Sequence, residues 1–78
     1  NLRGAILSKA NLTQSNLTGA DLSSQLPLVT YLNGANLSSA DLTGANLFAA
    51  DLRSATLTNA VFCQTKMPDG EVNNAGCN

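Results

Sequence analysis

The chain has 78 residues, and its four basic and five acidic side chains give a formal net charge of −1. A domain this small buries only about 60% of its unfolded surface, so it needs a very regular core, a covalent cross-link or a partner to stay folded. The charge balance lacks the clustered Lys and Arg that bind nucleic acid. No apolar run approaches the roughly 18 residues that span a bilayer. We therefore expect one small domain with no nucleic-acid surface and no membrane-inserted segment.

A large apolar residue, here called a centre, recurs at every fifth position. It fills twelve of thirteen slots, and Pro27 is the exception. A small residue, mostly Ala, stands two positions before each centre, Asn or Asp commonly stands one position before it, and mostly Ser, Thr, Gly or Asn follow. The repeated unit is therefore Ala-(Asn/Asp)-Leu-x-x. The centres are Leu2, Leu7, Leu12, Leu17, Leu22, Leu32, Leu37, Leu42, Leu47, Leu52, Leu57 and Phe62.

A five-residue period fits neither standard element. In an α-helix each residue advances about 100°, so residues five apart would lie on different faces. In a flat strand the side chains alternate, so an odd period would place successive leucines on opposite faces. A backbone that bends after every five residues instead directs every centre, and the small residue two positions before it, inwards. Four such sides predict a square coil of about twenty residues, with coils stacked about 4.8 Å apart.

The stretch Ala-Asn-Leu-Ser-Ser-Ala-Asp-Leu-Thr-Gly-Ala-Asn-Leu at residues 35–47 resembles the pentapeptide-repeat family. The resemblance covers residues 1–64 and implies that family's fold, an all-β, right-handed quadrilateral β-helix. We predict about three coils in a repeat domain of residues 1–64, followed by a capping segment of residues 65–78. Residues twenty apart then stack at the strand spacing, and the predicted interior columns are Leu2, Leu22, Leu42 and Phe62, and Leu12, Leu32 and Leu52.

Residues 25–31 break the consensus but leave the spacing between Leu22 and Leu32 at two repeats. Pro27 stands in a centre slot, and apolar side chains stand in outward positions. If the register is kept, one side of adjacent coils carries an exposed apolar patch, which is typical of a partner-binding surface. Alternatively, the segment bulges and turns its leucines inwards. The predicted patch consists of Ile6, Leu26, Leu28, Val29, Tyr31 and Phe48.

The period ends after Gln64, and the tail that follows contains the turn signal Pro68-Asp69-Gly70. An open coil exposes unpaired strand edges, so we expect the tail to cap it. Cys63 and Cys77 bracket the tail, and a disulfide between them would contribute about 3 kcal/mol. Two inert thiols or part of a metal site are the alternatives, although the chain has no His and two thiolates fall short of the usual four ligands.

The predicted disulfide points to an oxidising compartment. The run Met67-Pro68-Asp69-Gly70, followed by Asn and Cys, is also similar to the tails of cyanobacterial and plastid pentapeptide-repeat proteins. That resemblance implies the thylakoid lumen or the periplasm. Since the chain opens inside a repeat, we expect a targeting segment upstream of Asn1.

The sequence contains no combination of residues that predicts catalysis. It has no His, hence no Cys-His or Ser-His-Asp set, and no Gly-rich phosphate loop. We therefore predict a non-enzymatic structural or protein-interaction module, without cofactor or metal, that docks an unknown protein partner through a flat side of the coil. End-to-end association into a homo-oligomer is a further expectation. The resemblance also implies an alternative, because some relatives protect DNA gyrase by imitating duplex DNA, but five acids against four bases do not supply the negative surface that imitation requires.

Overall fold

The computed structural model describes residues 1–77, which form an all-β solenoid of square coils. Successive coils are joined by isolated parallel bridges, one on each side, rather than by long strands. The regular strands are β1 (Thr65–Lys66) and β2 (Val72–Asn73), which pair antiparallel beyond the coils. Among the described residues there is no helix long and apolar enough to cross a membrane. The predicted right-handed quadrilateral β-helix is confirmed.

The bridges divide residues 1–64 into three coils, which is the predicted number, and these comprise residues 1–20, 21–45 and 46–64. Each coil has four sides, which we label A to D. Side A comprises residues 6–10, 31–35 and 51–55, side B 11–15, 36–40 and 56–60, side C 16–20, 41–45 and 61–64, and side D 1–5, 21–24, 46–50 and 65–68.

Every corner except the one after Leu22 is made by a residue in the left-handed region two positions after a centre. Its φ lies between 52° and 75° whether the residue is Gly, as at Gly44, or not, as at Ala49. Eleven corners follow this rule, and the corner after Leu22 does not. The corner residues are Gly4, Lys9, Gln14, Gly19, Gly34, Ser39, Gly44, Ala49, Ser54, Asn59 and Gln64.

Where the repeat has Asn or Asp before its centre, that side chain ties the following corner together. The Asn11 Oδ1 accepts hydrogen bonds from the backbone N–H of Thr13 at 3.1 Å and from its hydroxyl at 2.8 Å. The Asp41 Oδ1 accepts the same pair of bonds from Thr43. This local bonding explains why the repeat carries Asn or Asp before its centre and Ser or Thr after it.

The core is densest in the middle of the stack. The centres Leu32, Leu37, Leu42 and Leu47 are all 0% exposed. Thr30 and Thr65 are also fully buried, in positions where the repeat has Ala. Their hydroxyls are satisfied, because Thr65 Oγ1 donates to the Leu42 carbonyl at 2.7 Å and Thr30 Oγ1 donates to the Ser23 carbonyl at 3.0 Å.

Residues 25–29 leave the coil as a loop, which we call the apolar loop. Gln25 and Leu28 exchange backbone hydrogen bonds of 2.9 and 2.7 Å, and the Leu26–Pro27 peptide bond is cis. The loop is closed where the Thr30 N–H donates to Ser24 Oγ at 2.8 Å. Neither sequence-based alternative describes this segment: it bulges, but its leucines point outwards.

The apolar loop changes the stacking register. Ile6 pairs with Tyr31, twenty-five residues on, whereas Tyr31 pairs with Asp51, twenty residues on. The predicted pairs Leu22–Leu42 and Leu12–Leu32 are therefore wrong, because the connecting chain includes the loop. The interior columns are Leu2–Leu22–Leu47–Met67, Leu7–Leu32–Leu52, Leu12–Leu37–Leu57 and Leu17–Leu42–Phe62.

The repeat extends one side further than the sequence indicated. The Lys66 N–H donates to the Ala45 carbonyl and the Leu47 N–H donates to the Lys66 carbonyl, so Met67 occupies a centre above Leu47. The tail then doubles back, and the Gly76 N–H donates to the Phe62 carbonyl at 2.7 Å. The division into domains at residue 64 stays a prediction.

Candidate partner-binding surface

The apolar loop projects its leucines into solvent. Leu26 is 83% exposed and Leu28 is 58% exposed, although a buried leucine stabilises a fold by roughly 1.5–3 kcal/mol. The loop is nevertheless held in place by the hydrogen bonds that close it and by Arg3, whose Nη1 donates to Gln25 Oε1 at 3.2 Å. It is therefore an ordered apolar protrusion.

The loop leans towards the first coil. A Cβ added to Gly4 would lie 3.2 Å from the Leu28 Cβ, so Leu28 covers the corner at Gly4. Ile6, two residues beyond that corner, is 79% exposed. It pairs with Tyr31 across side A, and Tyr31 is 38% exposed. The structure thus brings these apolar residues to one corner, between sides D and A.

Two residues of the predicted patch differ from this group. Val29 is only partly exposed, at the point where the loop rejoins the coil. Phe48 is 44% exposed but faces the tail: its ring lies 5.1 Å from the Lys66 Nζ, and a Cβ on Gly70 would lie 3.5 Å from its Cε1. Phe48 therefore lies beside the tail, while its carbonyl accepts from the Ser24 N–H at the base of the apolar loop at 2.8 Å, and the patch as a partner site stays a prediction.

Three of the five acidic side chains, those of Asp21, Asp41 and Asp51, accept hydrogen bonds at the corners of the coil. The pKa of Asp41 is held below its ordinary 3.8 by hydrogen bonds from the Thr43 hydroxyl and backbone. The pKa of Asp21 is lowered in the same way by Ser23, with a smaller contribution from Arg3. The pKa of Asp51 is lowered by its hydrogen bonds with Arg53, whose Nε and Nη2 donate at 3.0 and 2.9 Å. The carboxylates thus belong to the local architecture.

Cys63 and Cys77 form a disulfide, as predicted, with their Cα atoms 4.9 Å apart. The bond holds the returning tail against side C of the third coil. It is reinforced by the Gln64 N–H, which donates to Asn74 Oδ1 at 2.8 Å. Within residues 1–77 no group of three or more His, Cys, Asp or Glu lies close enough together to hold a metal ion.

Two open depressions accompany these features. A groove of about 580 Å³ runs between Met67 and the returning tail, and it is lined mainly by residues 67–69 and 71–74. A hollow of about 380 Å³ lies between Lys9 and Arg53 over Gly34. Arg53 is already engaged by Asp51.

Comparison with known proteins matches the chain to one family model and to a solved structure. The Pentapeptide repeats family matches the chain in eight copies over residues 1–24 and 45–75. Among solved structures, the chain is similar to HetL, a pentapeptide repeat protein involved in heterocyst differentiation regulation from the cyanobacterium Nostoc sp. strain PCC 7120. That match has 34% identity and a TM-score of 0.43, and it covers 90% of this chain and 39% of HetL. The curated proteins give no match.

Proposed function

Because this chain belongs to the pentapeptide-repeat family, we propose that it is a non-enzymatic interaction module that docks a protein partner through the corner between sides D and A. The observation that carries the proposal is the ordered loop with Leu26 83% and Leu28 58% exposed beside Ile6 at 79%. We name these three residues and Tyr31 the docking corner. Exposed apolar side chains gathered at one corner of a small protein are typical of a partner surface.

The docking corner is suited to contribute much of the binding free energy. The loop is fixed by its own backbone bonds and by Arg3, so little conformational freedom is lost when a partner covers it. A protruding Leu26 fits an apolar hollow on the partner, where its burial is worth roughly 1.5–3 kcal/mol. Such centrally buried side chains commonly dominate binding energy.

The proposal is tested by site-specific cross-linking. A photo-reactive amino acid replaces Leu26 in one protein and Val61 in another; Val61 is 37% exposed but lies on side C. We expect a discrete cross-linked protein from the Leu26 position alone. With that partner purified, Leu26→Ser combined with Leu28→Ser should weaken its affinity at least tenfold, while Val61→Ser should leave it unchanged.

Two results would contradict this function. One is equal cross-linking from Leu26 and Val61, and the other is an affinity that the double serine variant does not change. The melting temperature of each variant serves as the folding control. Because both leucines of the loop are largely exposed, we expect it to change little.

We further propose that the protein resides in an oxidising compartment, the thylakoid lumen or the periplasm. The Cys63–Cys77 disulfide supports this, since such bonds are rare where thiols are kept reduced. Thiol labelling of protein trapped with an alkylating reagent at lysis should find no free cysteine. Full labelling of both cysteines would place the protein in a reducing compartment.

A further inference from the structure

The third coil has an unpaired strand edge on sides A and B. In the second coil the equivalent edge is fully used: the Leu32 N–H donates to Asp51 O, the Gly34 N–H to Arg53 O, and Thr30 O accepts from the Asp51 N–H, all at 2.8 to 2.9 Å. One coil further on, within residues 1–77, the corresponding groups have no hydrogen-bond partner. These groups are the N–H of Leu52, Ser54, Leu57 and Asn59 and the carbonyls of Ala50 and Ala55.

The tail covers the other two sides. Thr65 to Met67 continue side D, and the stretch ending at Cys77 returns over side C through the Gly76–Phe62 hydrogen bond and the disulfide. The chain leaves the coil at Pro68, so the described tail does not pass over sides A and B. The end of the solenoid is therefore a step, with a wall made by the tail and a floor made by the third coil.

The floor of this step is apolar as well as unpaired. Leu52 and Leu57 are only partly buried, whereas Leu32 and Leu37, one coil below them in the same columns, are 0% exposed. Met67, which lines the groove between the coil and the tail, packs against the same core. Both the hydrogen-bonding groups and the apolar surface of the step thus match what one further turn of strand would cover.

We propose that this step binds an extended polypeptide segment of a partner protein as an added strand. The pattern of free groups specifies the occupant. It runs parallel to residues 50–59, bends once at the corner between sides A and B, and carries two apolar side chains five residues apart that cover Leu52 and Leu57. Strand addition of this kind takes its affinity from backbone hydrogen bonds and its selectivity from alternate side chains.

A suitable probe comes from the chain itself. A synthetic peptide of residues 5–14 has apolar residues five apart, Leu7 and Leu12, and its sequence makes sides A and B of the first coil. Aligned with the third coil, its Ile6 and Asn11 N–H groups would donate to the Ala50 and Ala55 carbonyls. A peptide N-methylated at Ile6 and Asn11 keeps every side chain but loses both donors, which makes it the matched control.

The test is a titration of the intact, oxidised, isotope-labelled protein, followed by amide NMR and hydrogen exchange. We expect the peptide to shift the amides of Leu52, Ser54, Leu57 and Asn59 and to slow their exchange at least tenfold. The N-methylated peptide should bind at least tenfold more weakly. Leu57→Lys, which places a charge on the floor of the step, should also weaken binding, and its circular dichroism reports whether it folds.

Three results would overturn the proposal. The first is that the peptide leaves these four amides unchanged at millimolar concentration, and the second is that N-methylation does not alter its affinity. The third is that the same amides are protected without peptide in proportion to protein concentration, which identifies a second copy of the chain as the occupant. The docking corner is not involved, so failure here leaves the proposed function intact.

Discussion

At the scale of single residues, the coil depends on corners that L-amino acids adopt reluctantly. Seven non-Gly residues occupy the left-handed region, including Ala49 at φ 61° and Gln64 at φ 52°. Glycine takes this conformation without a steric penalty, whereas a Cβ costs roughly 1 kcal/mol there. The repeat offsets that cost through its buried centres and, at corners such as that of Ala49, through the bond from the Phe48 N–H to Asn46 Oδ1.

Exchanging Gly and Ala at two corners tests this cost. Gly44→Ala should lower the free energy of unfolding by about 1 kcal/mol, since the added Cβ meets only ordinary contacts, 3.7 Å from the Gly19 backbone, and the penalty is conformational. Ala49→Gly should raise it by up to about 1 kcal/mol. Urea denaturation measures both. Gly44→Asn is the control, because Asn tolerates the left-handed region and should lower the free energy of unfolding less than Ala does. If the Asn and Ala variants lose equal stability, the explanation is wrong.

The corner carboxylates predict an acid-sensitive fold. The pKa of Asp41 is lower in the folded protein than its ordinary 3.8, so its hydrogen bonds with Thr43 stabilise the fold above that pH. The stabilisation is lost as the pH falls through the folded pKa. Asp21 and Asp51, whose pKa values are also lowered, act in the same direction.

Asp41→Asn isolates one of these contributions. Asn accepts the same corner bonds, as Asn36 does from Ser38 at 3.0 and 2.6 Å, so stability at neutral pH should change little. Below pH 3.8 the variant should lose less stability than the parent. Urea midpoints from about pH 7 to pH 2.5 give the comparison. Parallel curves for the two proteins would show that Asp41 does not contribute.

At the scale of the element, the apolar loop is an addition to a coil that closes without it. The Ser24–Thr30 hydrogen bond spans its base, and Thr30 fills the buried position that Ala takes elsewhere. The loop itself buries little, since Leu26 and Leu28 are mostly exposed. Its role is therefore expected in binding rather than in stability.

Deleting the loop separates these two roles. Removal of residues 25–29 joins Ser24 to Thr30 and restores twenty-residue spacing throughout; Ser24→Gly is included because Ser24 then becomes a standard corner residue. We expect an unchanged far-ultraviolet circular dichroism spectrum and loss of partner binding at the docking corner. An unfolded product would show that the loop is structural.

The tail is stabilised by its disulfide. Replacing both cysteines with serine frees the tail. Because the cross-link no longer restricts the unfolded chain, the free energy of unfolding should fall by about 3 kcal/mol. The double variant should unfold at a correspondingly lower urea concentration. Hydrogen exchange should rise first at Gly76, whose N–H donates to Phe62 O. An unchanged midpoint would mean that the hydrogen bonds of β1 and β2 hold the tail unaided.

At the scale of the whole molecule, the sequence predicted the square coil and its centres because twelve apolar residues in one register leave no other element able to bury them. It did not predict the stacking register. The apolar loop is five residues long, and an insertion as long as the repeat leaves the period of the sequence unchanged. The one signal of the insertion was Pro27 in a centre slot with leucines at outward positions beside it.

The candidate site was predictable only in part. Exposure of Ile6 followed from its outward position, whereas for Leu26 and Leu28 the sequence left an outward and an inward arrangement open, and it did not indicate the contact of Phe48 with the tail. That contact depends on the tail, where Met67 continues the repeat and brings Lys66 and Gly70 next to Phe48. Thr65 and Met67 depart from the Ala and Leu of the consensus, so this last side was not recognised in the sequence.

The spacing of twenty-five residues between stacked positions of the first and second coils is tested most directly by NMR couplings across backbone hydrogen bonds. The Tyr31 carbonyl accepts from the Leu7 N–H at 2.7 Å, and the Asn36 carbonyl accepts from the Leu12 N–H at 2.8 Å. We predict couplings from the Leu7 nitrogen to the Tyr31 carbonyl carbon and from the Leu12 nitrogen to that of Asn36. A coupling from the Leu12 nitrogen to the Tyr31 carbonyl carbon would mean that the coils stack twenty residues apart throughout. The apolar loop would then form a regular side of the coil.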